Sequence, residues 1–396
     1  MSNTNAAPQE AIAWIKRLIA VDTTSRNSNL PLIELVRDRF AQDGIHAHLS
    51  YDATGQKANL FATVPARDGS VQGGIVLSGH TDVVPVDGQD WSSDPFKPQV
   101  RDGRLYGRGS CDMKGYLGTA LSLLPDMLAA GLRKPVHLAL SYDEEVGCLG
   151  APVMLADLAE RGVRPDGCIV GEPSSMRPII AHKGVHIWRC SVHGRAAHSS
   201  LAPQGVNAIE HAAHLIAHIR AEADAMRNAG PADLDFDVPY STAQVCMIQG
   251  GIAVNTVPAL CEFHVDHRNL PGVDPARFGD SVRRHIDDVV LPQMQAEHAD
   301  ATVALQPLAH VPAFEGSADA AVTQLVRRLA GEHELRKVAY ASEAGQFEEA
   351  GIPAVVCGPG DIRQAHEANE YVTLEQIARC HAFLAGVVRE LSAGAD

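Results

Sequence analysis

The amino-acid sequence predicts an α/β protein with a mixed, largely parallel β-sheet, helices on both faces of that sheet, and an inserted α+β domain. Apolar segments of strand length alternate with amphipathic segments of helix length near both ends of the chain. Acidic residues and histidines directly follow several of the predicted strands. Because such residues collect at the carboxyl edge of a parallel sheet, the pattern predicts a functional site there.

The two ends of the chain supply the elements of the α/β domain. Its predicted strands are 58–64, 74–78, 135–141, 168–170 and 352–357. Its predicted helices are 8–20, 30–43, 115–130, 151–160, 318–332 and 373–391. Strands that alternate with helices in this way form a sheet that helices cover on both faces.

The middle of the chain has the order strand, helix, strand, strand, helix, strand, which is the split βαβ order of ferredoxin-like domains. Its predicted strands are 186–193, 241–248, 255–268 and 301–305, and its predicted helices are 206–227 and 275–295. We therefore predict a catalytic domain formed by 1–184 and 312–396, interrupted by an inserted domain at 185–311.

The composition excludes several classes of function. The formal net charge of −15 at pH 7 disfavours nucleic acid and anionic membranes as partners. The eight cysteines include no CxxC pair, which disfavours thiolate metal sites and a disulfide framework. The N-terminal segment lacks the layout of a signal peptide, and no apolar run has the length of a membrane span. These features predict a cytoplasmic protein.

The stretch IVLSGHTDVVPV places His80 and Asp82 at the exit of a predicted strand. Residues two positions apart share one face of a strand, so the carboxylate is expected to contact the imidazole. A metal-bound histidine needs such a partner to fix its tautomer and raise its basicity. A second carboxylate, Asp112, lies in the glycine-bracketed turn GRGSCDMKG before a predicted helix.

A pair of divalent metals needs a bridging carboxylate, terminal nitrogen or oxygen ligands and a shared water. The residues that could supply the ligands are His80, Asp112, Glu145, Glu172 and His366. Each one alone would more often be structural, but their occurrence together favours a metal-assisted hydrolase. Glu144, next to a candidate ligand, could take a proton from metal-bound water, although two solvated acids or a helix cap are the simpler alternative.

Three residues of the inserted domain are further candidates. His198 could donate to the oxyanion of a tetrahedral intermediate, or it could be an ordinary loop histidine. Asn255 and Arg268 could bind a substrate carboxylate, but an ion pair within the domain explains Arg268 equally well. The sequence contains no GxSxG elbow, no HExxH motif, no Walker loop and no complete dinucleotide-binding fingerprint.

Together these motifs resemble those of a known family. GHTDVVPV, GRGSCDMKG, DEEVGCLGA, VGEPS, HGRAAHSS and GPGDIRQAHEANEYV follow the order found in the di-zinc amidohydrolases, which include acetylornithine deacetylase, succinyl-diaminopimelate desuccinylase, aminoacylases and glutamate carboxypeptidases. The resemblance implies two bound divalent ions, most often zinc, with cobalt or manganese as alternatives. It implies that Asp112 bridges the ions, with His80 and Glu172 on one and Glu145 and His366 on the other.

The resemblance also implies roles around the metals. Asp82 would orient His80, and Glu144 would act as the general base on the bridging water. The inserted domain would form a homodimer in which His198 reaches the active site of the partner subunit. Asn255 and Arg268 match family positions that hold the substrate carboxylate.

Within the family, SEAGQF and the late PGDIRQAHEANEYV segment most resemble the members that deacetylate N-acetyl-L-ornithine, so we expect ornithine and acetate as products, as in arginine biosynthesis. Glu343, in the SEAG segment, is the candidate partner for the substrate amine. The alternatives are desuccinylation, deacylation of another N-acyl amino acid and dipeptide cleavage. From a different class, the chain could be an inactive metal-binding relative that serves as a binding protein.

Overall fold

The computed structural model describes residues 7–392, and the chain divides into two compact units. The first unit contains the described residues up to Ala181, together with Phe314–Lys337 and the described residues from Ser342 onward. The second unit contains His182–Ala313 and the short segment Val338–Ala341. The outer limits of the predicted catalytic domain, residues 1 and 396, lie outside the described residues. So does the start of the N-terminal segment in which no signal-peptide layout was found.

The helices of the described chain are α1 Gln9–Ile19, α2 Leu30–Gln42, α3 Lys114–Ser122, α4 Leu124–Ala129, α5 Gly150–Glu160, α6 Ala208–Ala229, α7 Ala276–His285, α8 Leu291–Glu297, α9 Ala321–Ala330, α10 Ala344–Glu349 and α11 Leu374–Ser392. Short 3₁₀ turns lie at Ser199–Gln204 and Ile362–Gln364, and a π-helical turn lies at Ile286–Val290. No helix in residues 7–392 combines the length and the apolar character needed to cross a membrane.

The strands of the described chain are β1 Ala47–Tyr51, β2 Ala58–Val64, β3 Ile75–His80, β4 Gln99–Arg101, β5 Arg104–Tyr106, β6 Val136–Ser141, β7 Gly167–Pro173, β8 Ile179–His182, β9 Gly184–His193, β10 Thr242–Gly250, β11 Leu260–Asn269, β12 Thr302–Val311, β13 Phe314–Glu315, β14 Arg336–Val338, β15 Ala354–Gly358 and β16 Tyr371–Thr373.

The main sheet of the first unit has the order β1-β2-β6-β3-β7-β15-β8-β13, with β14 paired to β8. Its centre is parallel, because β6, β3, β7 and β15 run in the same direction, and antiparallel pairs lie toward its edges. The residues of β3, β6, β7 and β15 are buried throughout, as expected for strands covered on both faces. The predicted mixed α/β fold is confirmed.

Helices pack on both faces of this sheet. Strand β2 contacts both α2 and α5, and β15 contacts both α9 and α10. One continuous apolar core joins Leu77 and Leu138 of the sheet to Phe40 of α2, Leu121 of α3 and Leu384 of α11. This core holds the central strands in place, so their carboxyl ends form a rigid edge.

The second unit has a four-stranded antiparallel sheet of order β10-β11-β9-β12. Burial alternates along β11, because one face of the strand packs against helices while the other does not. Phe263 of β11, Leu215 of α6 and Val282 of α7 belong to the same buried cluster. The strand order and the two helices give the ferredoxin-like arrangement that the sequence predicted.

Several predicted elements differ in extent. The predicted helix 115–130 is two helices, because the chain breaks at Leu123 and α4 begins at Leu124, with Pro125 in its first turn. The predicted helix 275–295 is interrupted by the π-helical turn before Pro292. The predicted strand 255–268 begins only at Leu260. The strands β1 and β8 were not predicted.

Candidate metal centre

His80 and Glu172 meet at the carboxyl edge of the main sheet. His80 is the last residue of β3, and Glu172 lies near the end of the neighbouring parallel strand β7. The register pairs Ser78 with Val170, so the residues two positions further along both strands lie side by side. The distance from His80 Nε2 to Glu172 Oε1 is 3.6 Å, and both side chains are buried.

Asp112 faces two histidines from the turn that precedes α3. Its Oδ1 lies 2.9 Å from His80 Nε2, and its Oδ2 lies 3.4 Å from His366 Nε2. His366 is also 3.0 Å from Glu145 Oε2. The two oxygens of one carboxylate therefore point toward two different groups of donors, which is the arrangement of a bridging ligand.

The structure brings the predicted ligands together as two groups that share Asp112. One group is His80, Asp112 and Glu172, and the other is Asp112, Glu145 and His366. Within each group the donor atoms lie within 4.8 Å of one another. Imidazole nitrogens and carboxylate oxygens suit zinc, cobalt and manganese, and this donor set fits a pair of such ions.

Buried charge dominates the electrostatics of the site. Burial, together with the charge of Asp112, raises the pKa of Glu145 and of Glu172. Hydrogen bonds to Asp112 and Glu145 raise the pKa of His366 to about 10. Crowded carboxylates in a low-dielectric interior need compensating positive charge, and divalent cations would supply it.

Glu144 lies beside this cluster without belonging to either group of donors. Its side chain is close to the Cys148 thiol, which donates to Glu144 Oε1 over 3.3 Å. Burial, with repulsion from Glu145 and Asp112, raises the pKa of Glu144 to about 8. Its carboxylate therefore lies beside the two donor groups and outside both of them.

Asp82 contacts His80 differently from the prediction. The strand ends at His80, so alternation does not extend to Asp82, and the closest acceptor of His80 Nδ1 is the backbone carbonyl of Asp82 at 2.9 Å. The Asp82 carboxylate oxygen lies at 3.5 Å. Its carboxylate accepts instead from the backbone N–H groups of Glu144 (3.0 Å) and Glu145 (3.3 Å). Asp82 therefore positions the acidic turn as well as the imidazole.

Glu370, which the sequence analysis did not single out, holds the turn that carries Asp112. Its buried carboxylate accepts hydrogen bonds from Arg108 Nη1 (2.7 Å) and from the backbone N–H groups of Gly109 (2.9 Å), Cys111 (2.8 Å) and Asp112 (3.1 Å). Several charge-assisted bonds to one carboxylate fix the backbone conformation of the turn.

The sequence contains only a weak signal for Glu370. It follows His366 by four positions in HEANEYV, so one short segment supplies both a candidate ligand and the acceptor for the Asp112 turn. No spacing rule connects residue 370 with the glycine-bracketed turn, because the contact is made by the tertiary fold.

Glu343 is a further buried carboxyl of the first unit, at 1% exposure. Burial raises its pKa to about 7, and the nearby Ser141 and Ser78 hydroxyls partly oppose this shift. Those contacts fall outside ordinary hydrogen-bond geometry, and neither carboxylate oxygen of Glu343 has a hydrogen-bond partner in residues 7–392. The geometry therefore leaves the carboxylate of Glu343 with unused acceptor capacity.

The second unit carries His198, Asn255 and Arg268. His198 is exposed, and its Nδ1 accepts the backbone N–H of Ser200 over 3.2 Å, which leaves the proton of the neutral ring on Nε2. Asn255 lies in an exposed turn before β11 and not within the strand. Arg268 pairs with Asp266 on the same strand at 3.2 Å, so the ion pair within the domain is present in this structure.

The fold and the paired His/carboxylate groups are those of a metal-dependent hydrolase. Residues 76–390 match the sequence model of peptidase family M20/M25/M40, and the chain belongs to this family. The acetylornithine deacetylase of Myxococcus xanthus is 35% identical over 388 residues, which cover 96% of this chain and 97% of that protein.

Solved structures show the same fold. The M20 family metallo-carboxypeptidase of Sulfolobus solfataricus superposes with a TM-score of 0.76 at 17% identity, covering 97% of this chain and 100% of that chain. A Bacillus subtilis protein described as a dinuclear metal binding peptidase from the M20 family gives a TM-score of 0.61 at 15% identity, covering 96% and 98% of the two chains.

Metal binding is predicted to release protons and to strengthen as the pH rises. Imidazole binds metal only when deprotonated, and the His366 pKa of about 10 means that this ring retains a proton near neutral pH in the ion-free site. The number of protons released is measured by calorimetric zinc titrations in buffers of different ionisation enthalpy, because the buffer takes up each released proton with its own heat. His333→Ala, which alters an exposed histidine, should release the same number of protons. A binding heat that is independent of the buffer would contradict this prediction.

Proposed function

We propose that this chain is a two-metal amidohydrolase that removes the acetyl group from N-acetyl-L-ornithine, giving ornithine and acetate for arginine biosynthesis. The observation that carries the proposal is Asp112, whose two carboxylate oxygens face two different histidines. The choice of substrate is supported by 35% identity to an acetylornithine deacetylase along nearly the whole chain.

The ligand roles follow from the two donor groups. His80, Glu172 and Asp112 would hold one ion, and Glu145, His366 and Asp112 would hold the other. Zinc is the first choice, with cobalt and manganese as alternatives. When bound, such ions polarise an amide carbonyl and lower the pKa of water.

Glu144 acts in this proposal as the general base. Its carboxylate removes a proton from the attacking water and later returns it to the departing amine. The hydrogen bonds from its backbone N–H and that of Glu145 to Asp82 keep the base and a metal ligand on one rigid turn. The base is therefore held at a constant position relative to the ligand next to it.

His198 acts as the donor to the oxyanion of the tetrahedral intermediate. Its Nδ1 accepts from Ser200, so the ring proton lies on Nε2. Within the described second unit, Nε2 has no hydrogen-bond acceptor. Asn255 and Arg268 bind the substrate carboxylate, and Arg268 would exchange its long contacts with Asp266 for that carboxylate.

Glu343 pairs with the side-chain ammonium of acetylornithine. A buried carboxylate without a hydrogen-bond partner is costly, and a cationic substrate group would satisfy it. The net charge of −15 also favours the approach of a cationic substrate.

We also propose a cytoplasmic homodimer that forms through residues 185–311. The edge strand β10 exposes Met247 (62%) and Ile248 (58%), and no further strand of the described second unit pairs with its open side. An exposed apolar edge is a suitable surface for a second copy of the chain. The free state of all eight cysteines agrees with a reducing compartment.

Amine release from N-acetyl-L-ornithine tests the function directly. The competing substrates are N-succinyl-diaminopimelate, N-acetylmethionine and a dipeptide, each with metal-loaded and chelator-stripped protein. Metal-dependent turnover that favours acetylornithine is the expected result. Preference for another of these substrates would replace the substrate proposal, and failure to turn over any of them with two metals bound would favour a non-catalytic binding protein.

Glu144→Gln is predicted to retain both metals and to lose turnover by roughly 10²–10⁴-fold, because it removes the base but no ligand. Metal content is measured by atomic emission and turnover by amine release. Turnover equal to that of the unaltered chain would exclude Glu144 as the base. Loss of metal together with activity would instead make it a ligand.

Glu343→Gln is predicted to lower kcat/KM for acetylornithine by about tenfold or more, since one charged hydrogen bond contributes about 1.5–3 kcal/mol. The value for N-acetylmethionine should change much less, because that substrate has no side-chain cation. Glu349→Gln, an exposed change at the last residue of α10, the short helix that follows Glu343, is the matched control. Equal losses for both substrates would show that Glu343 does not select the ammonium group.

Mixing His198→Ala with Glu144→Gln is predicted to restore activity that neither variant has alone. In a mixed dimer one active site would combine an intact Glu144 with an intact His198 from the other subunit. Subunit exchange is followed by native mass spectrometry. Each variant alone, carried through the same exchange procedure, is the control. Mixed dimers without recovered turnover would show that His198 does not act on the partner subunit.

A further inference from the structure

The short segment that follows α1 lies alongside the loop that follows β3. The backbone N–H of Ser25 donates to the carbonyl of Val83 over 3.1 Å, and the N–H of Val83 donates to the carbonyl of Thr23 over the same distance. The Thr23 hydroxyl also donates to the carbonyl of Thr81. These bonds align residues 23–25 with residues 81–83. Asp82 is the middle residue of the second segment.

This alignment places the Ser25 hydroxyl on the Asp82 carboxylate. The distance from Ser25 Oγ to Asp82 Oδ2 is 2.7 Å, and both residues are buried. The same hydroxyl lies 3.4 Å from the Val83 carbonyl, which is a much longer contact. A hydroxyl has one proton to donate, and the short bond to an ionised carboxylate is the stronger of the two.

A second contact holds the backbone of Ser25, and it comes from Lys57. The ammonium of Lys57, the residue before β2, donates to the Ser25 carbonyl and to the Asp143 carboxylate. Asp143 directly precedes the acidic turn 144–145. The backbone of Ser25 is therefore fixed between the loop after β3 and the turn that carries Glu144 and Glu145.

The hydrogen bond from Ser25 determines how the Asp82 carboxylate is oriented. Asp82 Oδ2 accepts from Ser25 and from the N–H of Glu145, while Oδ1 accepts from the N–H of Glu144 and lies 3.5 Å from His80 Nδ1. A rotation of this carboxylate would disturb the imidazole and the acidic turn together. In residues 7–392, Ser25 supplies the side-chain hydroxyl that opposes such a rotation.

We propose that Ser25 is a positioning residue of the metal centre. Its hydroxyl fixes the Asp82 carboxylate and, through it, the orientation of His80 and of the turn that holds Glu145. This inference rests on the proposed metal centre but does not depend on which N-acyl amino acid is the substrate. Groups that orient metal ligands from outside contribute to affinity as well as to activity.

The test compares Ser25→Ala with Ser25→Thr and with Ser28→Ala. Ser28 lies three residues further along and is half-buried, and its hydroxyl donates to the Gln56 carbonyl and not to Asp82. Zinc affinity is measured by competition with a chromophoric chelator. The visible absorption of the cobalt-loaded protein reports the ligand geometry, and Tm reports whether each variant folds. None of these readouts requires turnover.

Ser25→Ala is expected to weaken zinc binding by roughly 10–100-fold, the range for groups that orient metal ligands, and to alter the cobalt spectrum. Ser28→Ala should leave both unchanged, and Ser25→Thr, which keeps the hydroxyl, should restore both. Unchanged zinc affinity and an unchanged cobalt spectrum in Ser25→Ala would overturn the proposal. An equal effect of Ser28→Ala, or no recovery in Ser25→Thr, would also overturn it. So would the absence of zinc binding by the unaltered chain. If the unaltered chain binds two metals but does not hydrolyse acetylornithine, only the substrate proposal fails.

Discussion

The concentration of buried negative charge around Asp112 is the constraint on which the rest of the structure depends. Asp112, Glu145 and Glu172 converge at one edge of the sheet, together with the imidazoles of His80 and His366. In a low-dielectric interior, carboxylates repel one another strongly, and burial together with this repulsion raises the pKa of Glu145 and of Glu172. Such a cluster is stable as an ionised group only with cations present, so the fold brings together a site that metal binding completes.

Two carboxylates outside the donor groups keep this unfavourable arrangement in place. Glu370 gathers the backbone N–H groups of the turn around Asp112, and Asp82 gathers those of Glu144 and Glu145. Both hold backbone N–H groups that would otherwise be unpaired, so a change in either would move the proposed ligands on the turn that it holds. The same principle extends to Ser25, which orients Asp82.

The strands and the site residues at their ends could be predicted because periodicity and strand ends are local properties. His80 closes a fully buried strand, and His80, Asp112, Glu145, Glu172 and His366 meet as expected. The packing partners of the site could not be predicted in this way. Contacts over long sequence separation leave no periodic signal, because they depend on which loops the packed core brings together.

The sequence by itself determined the α/β architecture and the inserted split βαβ unit, and it predicted which side chains could hold metal ions, because these inferences depend on residue type and spacing. Only the tertiary structure decided that His80 Nδ1 lies closer to the carbonyl oxygen of Asp82 than to its carboxylate. It also decided that Glu343 is buried with no hydrogen-bond partner among residues 7–392. The reason is physical: hydrogen-bond partners and burial are set by the packed surroundings of a side chain, which the order of residues does not specify.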